Sequence, residues 1–568
     1  MMFKALAIAM AISILFVSLV AVTSLRTKPL LGFFSFSRGA KISKGTILYV
    51  DLRKPYLEVE QYPFGIFGIF KRPTFPRLLR ALDFASEDPR IKAVLIRGPA
   101  AISLSSAWEL KKQIAKARKA GKTIYAYYDL ATPSDMLLLT ECDTVVSPRQ
   151  AVTAVPGFMA RPLFLRGTFD KLGIGFDVIH IGKYKGAGEI FVSDTMSAWL
   201  RESYEAFLED YYNQFVSDLA DGYNIPAESV KAIIDGAVYD GRTIPIAIID
   251  SFMHWEEFVE HLVGKEREKI VSINAYSSLP PRARFCDKKI ALVSAAGTIM
   301  DESDRSSKGI TPKQYAKLIH KLADDDDIDA IIFRVTSPGG SAIASDAINA
   351  EIVRAAKKKP VVVSMGSIAA SGGYYISMGA RKIFATPYTL TGSIGVVMIR
   401  PYLQRLYEKI GANPQEIKRG RNADLMTVDK PLTDEQKEIM KRLLLNIYHD
   451  FVSKAAEGRD TTYEWIDSIA QGRIWSAADA ESLGLIDDFG SLIDAISYVE
   501  KLIEVPEGYR AKVVFLPRPK TFFEIIEEWN LTLASSRLPK IAEKLVDQLR
   551  LLESLGNKPL YLCPFDAP

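Results

Sequence analysis

Arg90-Ile-Lys-Ala-Val-Leu-Ile-Arg97 returns later in the chain as Asp327-Ile-Asp-Ala-Ile-Ile-Phe-Arg334, with its apolar positions kept. Each copy reads as a short buried strand. A helical stretch follows each, over 107–120 and 345–358, and then a second β-rich run, 122–127 and 360–364. Cys142-Asp-Thr-Val-Val-Ser-Pro148 then matches Arg381-Lys-Ile-Phe-Ala-Thr-Pro387 without a gap. Later, Gly236-Ala-Val-Tyr-Asp-Gly-Arg242 and Ile248-Ile-Asp250 match Gly472-Arg-Ile-Trp-Ser-Ala-Ala478 and Leu485-Ile-Asp487. A period of about 240 residues means a duplicated domain rather than a short solenoid repeat. Strands alternating with helices in each copy predict two α/β units with mostly parallel sheets. The expected first unit runs over 46–280 and the second over 286–508, with Ser278-Leu-Pro-Pro-Arg282 in the linker. The repeat is lost in a tail, 509–568, whose segment 540–555 carries Ile541, Leu545, Leu549 and Leu552 on one helical face.

Composition excludes several classes. The chain has 568 residues, 48% hydrophobic and 25% charged, which is ordinary for a multidomain globular protein. A net charge of +4 is too small for a nucleic-acid-binding face. Cys142, Cys286 and Cys563 are far apart and odd in number, so they make neither a metal motif nor a disulfide framework. The N-terminus is less plain. Residues 5–25 carry no charge, and as a helix they would reach about 30 Å, the thickness of a bilayer core. Residues 1–28 are therefore expected to form a transmembrane anchor. A cleaved signal peptide, with a weak small-residue site at Ala21-Val-Thr23, and a buried core helix are the competing readings. The flanking charges, Lys4 before and Arg26, Lys28, Arg38 and Lys41 after, leave the side of the membrane open.

The chemistry concentrates in Val361-Val-Val-Ser-Met-Gly-Ser-Ile-Ala-Ala-Ser-Gly-Gly-Tyr-Tyr375. A β-branched run leads to Ser371, directly before two glycines. This offers a hydroxyl at a strand-to-helix junction beside free backbone N–H groups able to hold an oxyanion. Ser337-Pro-Gly-Gly-Ser341 and Thr391-Gly-Ser-Ile-Gly395 are two further glycine-rich strand ends. The first copy has Thr132 where the second has Ser371, and Pro133 where the second has Gly372. Proline has no N–H, so the first copy cannot build the same hole. The five histidines, His180, His254, His261, His320 and His449, sit in no glycine-rich turn. A neutral lysine is the other way to activate serine. The first copy has Ile181-Gly-Lys-Tyr-Lys-Gly-Ala187, with Ala423 of the second copy in the place of Lys185. On the residues alone, Lys183, Lys185 and a pair of solvated lysines all stay open.

Ser337-Pro-Gly-Gly-Ser341, Ala369-Ala-Ser-Gly-Gly-Tyr-Tyr375, Thr391-Gly-Ser-Ile-Gly395 and Gly182-Lys-Tyr-Lys-Gly-Ala187 together resemble the signal peptide peptidase A (protease IV) family, peptidase family S49, in its long duplicated form. The resemblance covers about residues 1–510. It implies tandem Clp/crotonase-like ββα superhelix domains and a membrane-anchored serine endopeptidase with a Ser/Lys dyad. It also implies cleavage of apolar signal peptides, attachment to membrane lipid through the N-terminal helix, and a dome-like homotetramer. The implied location is the inner membrane, single-pass, with the catalytic domains on the periplasmic side. The family nucleophile falls on Ser371, the lysine on Lys185, and a serine orienting the lysine on Ser393, 22 positions after the nucleophile. The oxyanion would be held by Gly372 and by the Gly339-Gly340 turn, with Gly340 the first choice. No metal, cofactor or nucleic acid is expected. A protease of broader membrane fragments, an inactive membrane scaffold and a crotonase-like acyl-CoA enzyme are the alternative readings.

Overall fold

A computed structural model describes residues 42–60, 74–301 and 309–518. The expected anchor, the tail helix over 540–555 and Cys563 lie outside the described residues. Among the described residues, no helix is long and apolar enough to cross a membrane.

Two sheets follow the repeat. The first has six strands in the order Ile270–Ser272, Thr46–Asp51, Ile91–Arg97, Thr123–Tyr127, Thr144–Ser147, Ser251–Phe252. Every pairing in it is parallel. The second sheet repeats this order with Arg510–Leu516, Phe285–Ala296, Ala330–Ser337, Val361–Ala370, Lys382–Ala385 and Asp488–Phe489, and adds Leu390–Gly392 and Ile474–Ser476. Parallel strands buried on both faces need apolar residues at every position. Ala330–Val335 and Val361–Met365 meet that need except at Arg334 and Ser364, and all of these side chains are buried.

The duplication extends to single hydrogen bonds. Lys122 Nζ donates to the carbonyls of Asp88 and Ile91 at 2.7 and 2.9 Å. In the second half, Lys359 Nζ donates to those of Asp325 and Ile328 at 2.8 and 2.7 Å. The carboxylates of Asp250 and Asp487 accept the Val145 and Ile383 N–H groups, both at 2.7 Å. These are the aspartates of the repeated Ile-Asp pairs.

The halves share a core. Helix Phe75–Glu87 of the first half packs with helix Leu492–Leu502 and with Ile290, Leu292 and Ile332 of the second. Inside this seam Arg334 is fully buried, its guanidinium 2.6 Å from Glu109 and 3.1 Å from Glu58. Glu109 also accepts the Leu492 N–H at 2.6 Å. The halves meet a second time along an antiparallel pair, Gly175–Ile181 against Val396–Tyr402. That pair carries the Lys183–Lys185 loop up to the second half.

Candidate active site

The strand Val361–Ala370 ends at Ser371, which caps the short helix Gly372–Tyr375. Ser371 has φ 54° and ψ −120°, a backbone region that costs a residue with a side chain about 1–3 kcal/mol. The bond from its N–H to the Gly392 carbonyl, 2.8 Å, helps hold it there. Glycines on both sides let other backbone close in. A Cβ on Gly339 would lie 2.7 Å from the Gly372 nitrogen, and one on Gly373 2.4 Å from the Ser337 carbonyl.

Lys185 enters from the first half and is buried, 6% exposed. Its Nζ lies 2.9 Å from Ser371 Oγ, 2.9 Å from Ser393 Oγ and 2.7 Å from the Ser393 carbonyl oxygen. Burial, with no carboxylate contributing, pulls its ammonium down to about 7. A neutral amine has two N–H donors and one lone pair. The two donors fit the Ser393 oxygens, which leaves the lone pair facing the Ser371 hydroxyl. Ser393 is itself pinned at φ 53° by its N–H bond to the Arg473 carbonyl, 2.7 Å.

The structure thus brings together Ser371, Lys185 and Ser393 across 186 and 208 residues of chain. Gly372, Gly339 and Gly340 lie beside them. Ser337 Oγ accepts the Gly339 N–H at 3.1 Å, while among the described residues no protein acceptor takes up the Gly340 or Gly372 N–H. Both are free to bind a developing oxyanion. Lys183 points elsewhere, its Nζ 5.0 and 4.6 Å from the Tyr184 and Trp199 ring centres. Beside these motifs, Ala369 and Ile394 are buried in the core of the second half.

The equivalent place in the first half is closed. Thr132 has an ordinary extended backbone and caps the helix Pro133–Leu139. The Asp135 carboxylate accepts the Ala100 N–H at 2.9 Å, the Thr132 N–H at 2.9 Å and the Thr132 hydroxyl at 2.6 Å. A carboxylate thus takes up the N–H groups at this turn, and Pro133, where the second half has Gly372, offers none.

A clamp on Lys185 went unread in the sequence. Gly472, at φ 79°, packs so closely that a Cβ there would meet the Lys185 backbone nitrogen at 2.6 Å. The Gln471 carbonyl accepts the Tyr184 N–H at 2.8 Å. Arg473 reaches Glu202 at 2.8 Å and donates to the Tyr184 hydroxyl at 3.2 Å. The repeat does align Gly472, with Gly236, but two similar turns say nothing about which lysine one of them would touch.

A strained serine beside a buried amine and two open N–H groups is the equipment of a serine hydrolase. The chain belongs to peptidase family S49, which it matches over residues 116–266 and 354–506, and it is a serine endopeptidase. It is 32% identical to a chloroplastic serine protease SPPA of Arabidopsis thaliana over 85% of this chain and 72% of that one. It is 28% identical to protease 4 of Haemophilus influenzae over 74% of this chain and 72% of that one. Among solved structures, a ClpP1 mutant of Listeria monocytogenes overlaps 36% of this chain and 92% of its own, at 19% identity and a TM-score of 0.24.

Proposed function

We propose that this endopeptidase uses Ser371 as nucleophile and Lys185 as general base, and that it degrades cleaved signal peptides in or at the membrane. The observation that carries the reading is the set of three Lys185 Nζ contacts, two of them to Ser393, in a buried site without a carboxylate. Neutral Lys185 takes the Ser371 proton while Oγ bonds to the peptide carbonyl carbon. The oxygen becomes an oxyanion held by the N–H groups of Gly372 and Gly340. The C–N bond then breaks, and the Lys185 ammonium returns its proton to the leaving amine. An acyl-enzyme remains. Lys185 next deprotonates a water that attacks the ester carbonyl, and the proton goes back to Ser371 Oγ as the ester bond breaks. Ser393 holds the amine in line for both steps.

The halves 46–280 and 286–508 are proposed to be tandem Clp/crotonase-like domains, the first supplying lysine and the second serine. The proposal includes an uncleaved N-terminal anchor in the inner membrane, catalytic halves on the periplasmic side, and a homotetramer. Anchoring fits substrates that are themselves membrane-borne. The test is turnover of apolar signal-peptide sequences by the full chain, with mass-spectrometric readout. Lys185→Ala and Ser371→Ala should each abolish cleavage while circular dichroism stays unchanged. Turnover retained in Lys185→Ala refutes the dyad. Cleavage of folded globular proteins as fast as of signal peptides refutes the substrate class.

A further inference from the structure

Where the two halves and their linker meet, a cavity of about 330 Å³ opens to the surface. The first half gives it Ala81 and Phe84, the linker Leu279 and Pro281, and the second half Phe285 and Phe515. All of these but Ala81 are only half-buried. An apolar hollow left open at the surface is a place for something to dock. Arg77 and Lys512 also line it, with side chains 39% and 49% exposed. The Arg77 guanidinium lies 4.5 Å over the Phe515 ring, which fixes positive charge above the apolar wall. Each cation has one acid beside it, Glu60 at 2.5 Å and Asp287 at 3.7 Å. Among the described residues, no carboxylate lines the cavity itself.

One wall is the last described strand, Arg510–Leu516, which among the described residues pairs on one side only, with Phe285–Ala296. The chain continues beyond Arg518, and its sequence matches the cavity. Thr521-Phe-Phe-Glu524 has the capping-box pattern, a hydroxyl followed three residues on by a glutamate, which starts a helix. Phe522, Ile525, Ile526, Trp529 and Leu533 then recur at the spacing of one helical face. Glu524, Glu527 and Glu528 fall off that face, and no basic residue lies between Thr521 and Asn530. The seven residues from Phe515 to Phe522 span up to about 25 Å, enough to turn back onto the strand they follow. The later tail segment, 540–555, carries three acids and three bases, so it has no net charge to set against the cations.

We propose that residues 522–533 form an amphipathic helix that folds back into this cavity of its own chain. Phe522, Ile525, Ile526 and Trp529 pack against Phe84, Phe285 and Phe515, and the glutamates stand beside Arg77 and Lys512. Apolar burial supplies most of the stability. The exposed ion pairs add little energy and select the orientation. The short tether keeps the segment at high effective concentration, so the chain's own tail outcompetes a free ligand of the same chemistry. The helix touches the first half, the linker and the second half together. A tail to which the repeat gives no counterpart thus becomes the fastener of the seam.

The test is hydrogen exchange, read by mass spectrometry on the full detergent-solubilised chain, and it does not depend on hydrolysis. Val513→Asp puts a charge on the cavity wall and should speed exchange in 522–529 by about tenfold or more. The reciprocal variant changes the tail and is read on the wall. Ile525→Asp with Ile526→Asp should speed exchange in 510–516, while the strand Ala330–Ser337 stays as slow as in the wild type. Lys512→Glu should speed exchange in 522–529 by about two- to fivefold, and adding Glu528→Lys should restore it. Exchange in 522–529 that is equally fast in the wild type and in Val513→Asp overturns the proposal. So does a wall that ignores the tail aspartates, or a charge reversal that Glu528→Lys does not rescue. Protection of 522–529 that falls on dilution would give the cavity to the tail of a second copy, and would overturn it as well.

Discussion

Lowering the pH should switch the enzyme off along a single limb centred at about 7, the value to which burial pulls Lys185. The ordinary lysine value is 10.5, so the shift is about 3.5 pH units, or about 5 kcal/mol against the charged amine. At pH 7 about half of the Lys185 amines are then neutral, where an unshifted lysine would have roughly one in 3,000. The assay is the pH profile of kcat/KM on a fluorogenic apolar peptide amide at constant ionic strength. At pH 6 the value should fall about tenfold below its plateau. A midpoint above about 9, or no limb between about 5 and 9, would refute the reasoning. Stability gives a second reading of the same shift. The folded value lies below the unfolded one, so the unfolded chain binds more protons between about 7 and 10.5. Stability contributed at Lys185 therefore rises with pH through that window, and is lost as pH falls toward 7. Lys185→Met does not titrate. Its advantage over wild type in urea unfolding should shrink by about 1.4 kcal/mol per pH unit between about 7.5 and 9.5. An advantage that stays flat with pH would count equally against the shift.

Ser393→Gly keeps the positive φ while deleting the hydroxyl, and should cut kcat about tenfold with KM unchanged, the worth of one hydrogen bond of about 1–1.5 kcal/mol. A kcat within twofold of wild type would remove Ser393 from the site. Gly472→Ala puts a Cβ 2.6 Å from the Lys185 backbone nitrogen. It should abolish labelling of Ser371 by a serine-reactive probe while circular dichroism stays native; full labelling would show that the clamp is slack. Arg334→Met leaves Glu109 and Glu58 buried without their counter-charge and should cost about 3–5 kcal/mol in urea unfolding. Arg334→Met with Glu109→Gln should recover part of that loss, and a double variant no better than the single would break the ion-triad account.

The repeat made the sheets legible because a buried parallel strand needs apolar residues throughout and a backbone change at its ends. Arg90–Arg97 and Asp327–Arg334 satisfy both conditions twice. Ser371 and its glycines were legible for a related reason, since few residues tolerate that backbone. Lys185 was not separable from Lys183 by local pattern. Their difference is which one is buried, and that depends on Gly472, nearly 290 residues away. The burial of Arg334 at the end of its strand was not legible, because its partners Glu58 and Glu109 belong to the other half. Asp135, which takes up the Ala100 and Thr132 N–H groups in the first half, reads in sequence as an ordinary helix-start acid. Long-range burial, rather than local preference, decides all three.

The division of the site between the halves has a consequence for how the chain is made. A ribosome releases Lys185 first, Ser371 well after it, and the Gln471–Arg473 clamp later still. On the proposed chemistry, the nascent chain holds no working nucleophile until nearly all of the second half has emerged and folded against the first. A protease assembled in this order cannot cut its own unfinished backbone. The same dependence should make any truncation upstream of Gly472 harmless to the cell that produces it.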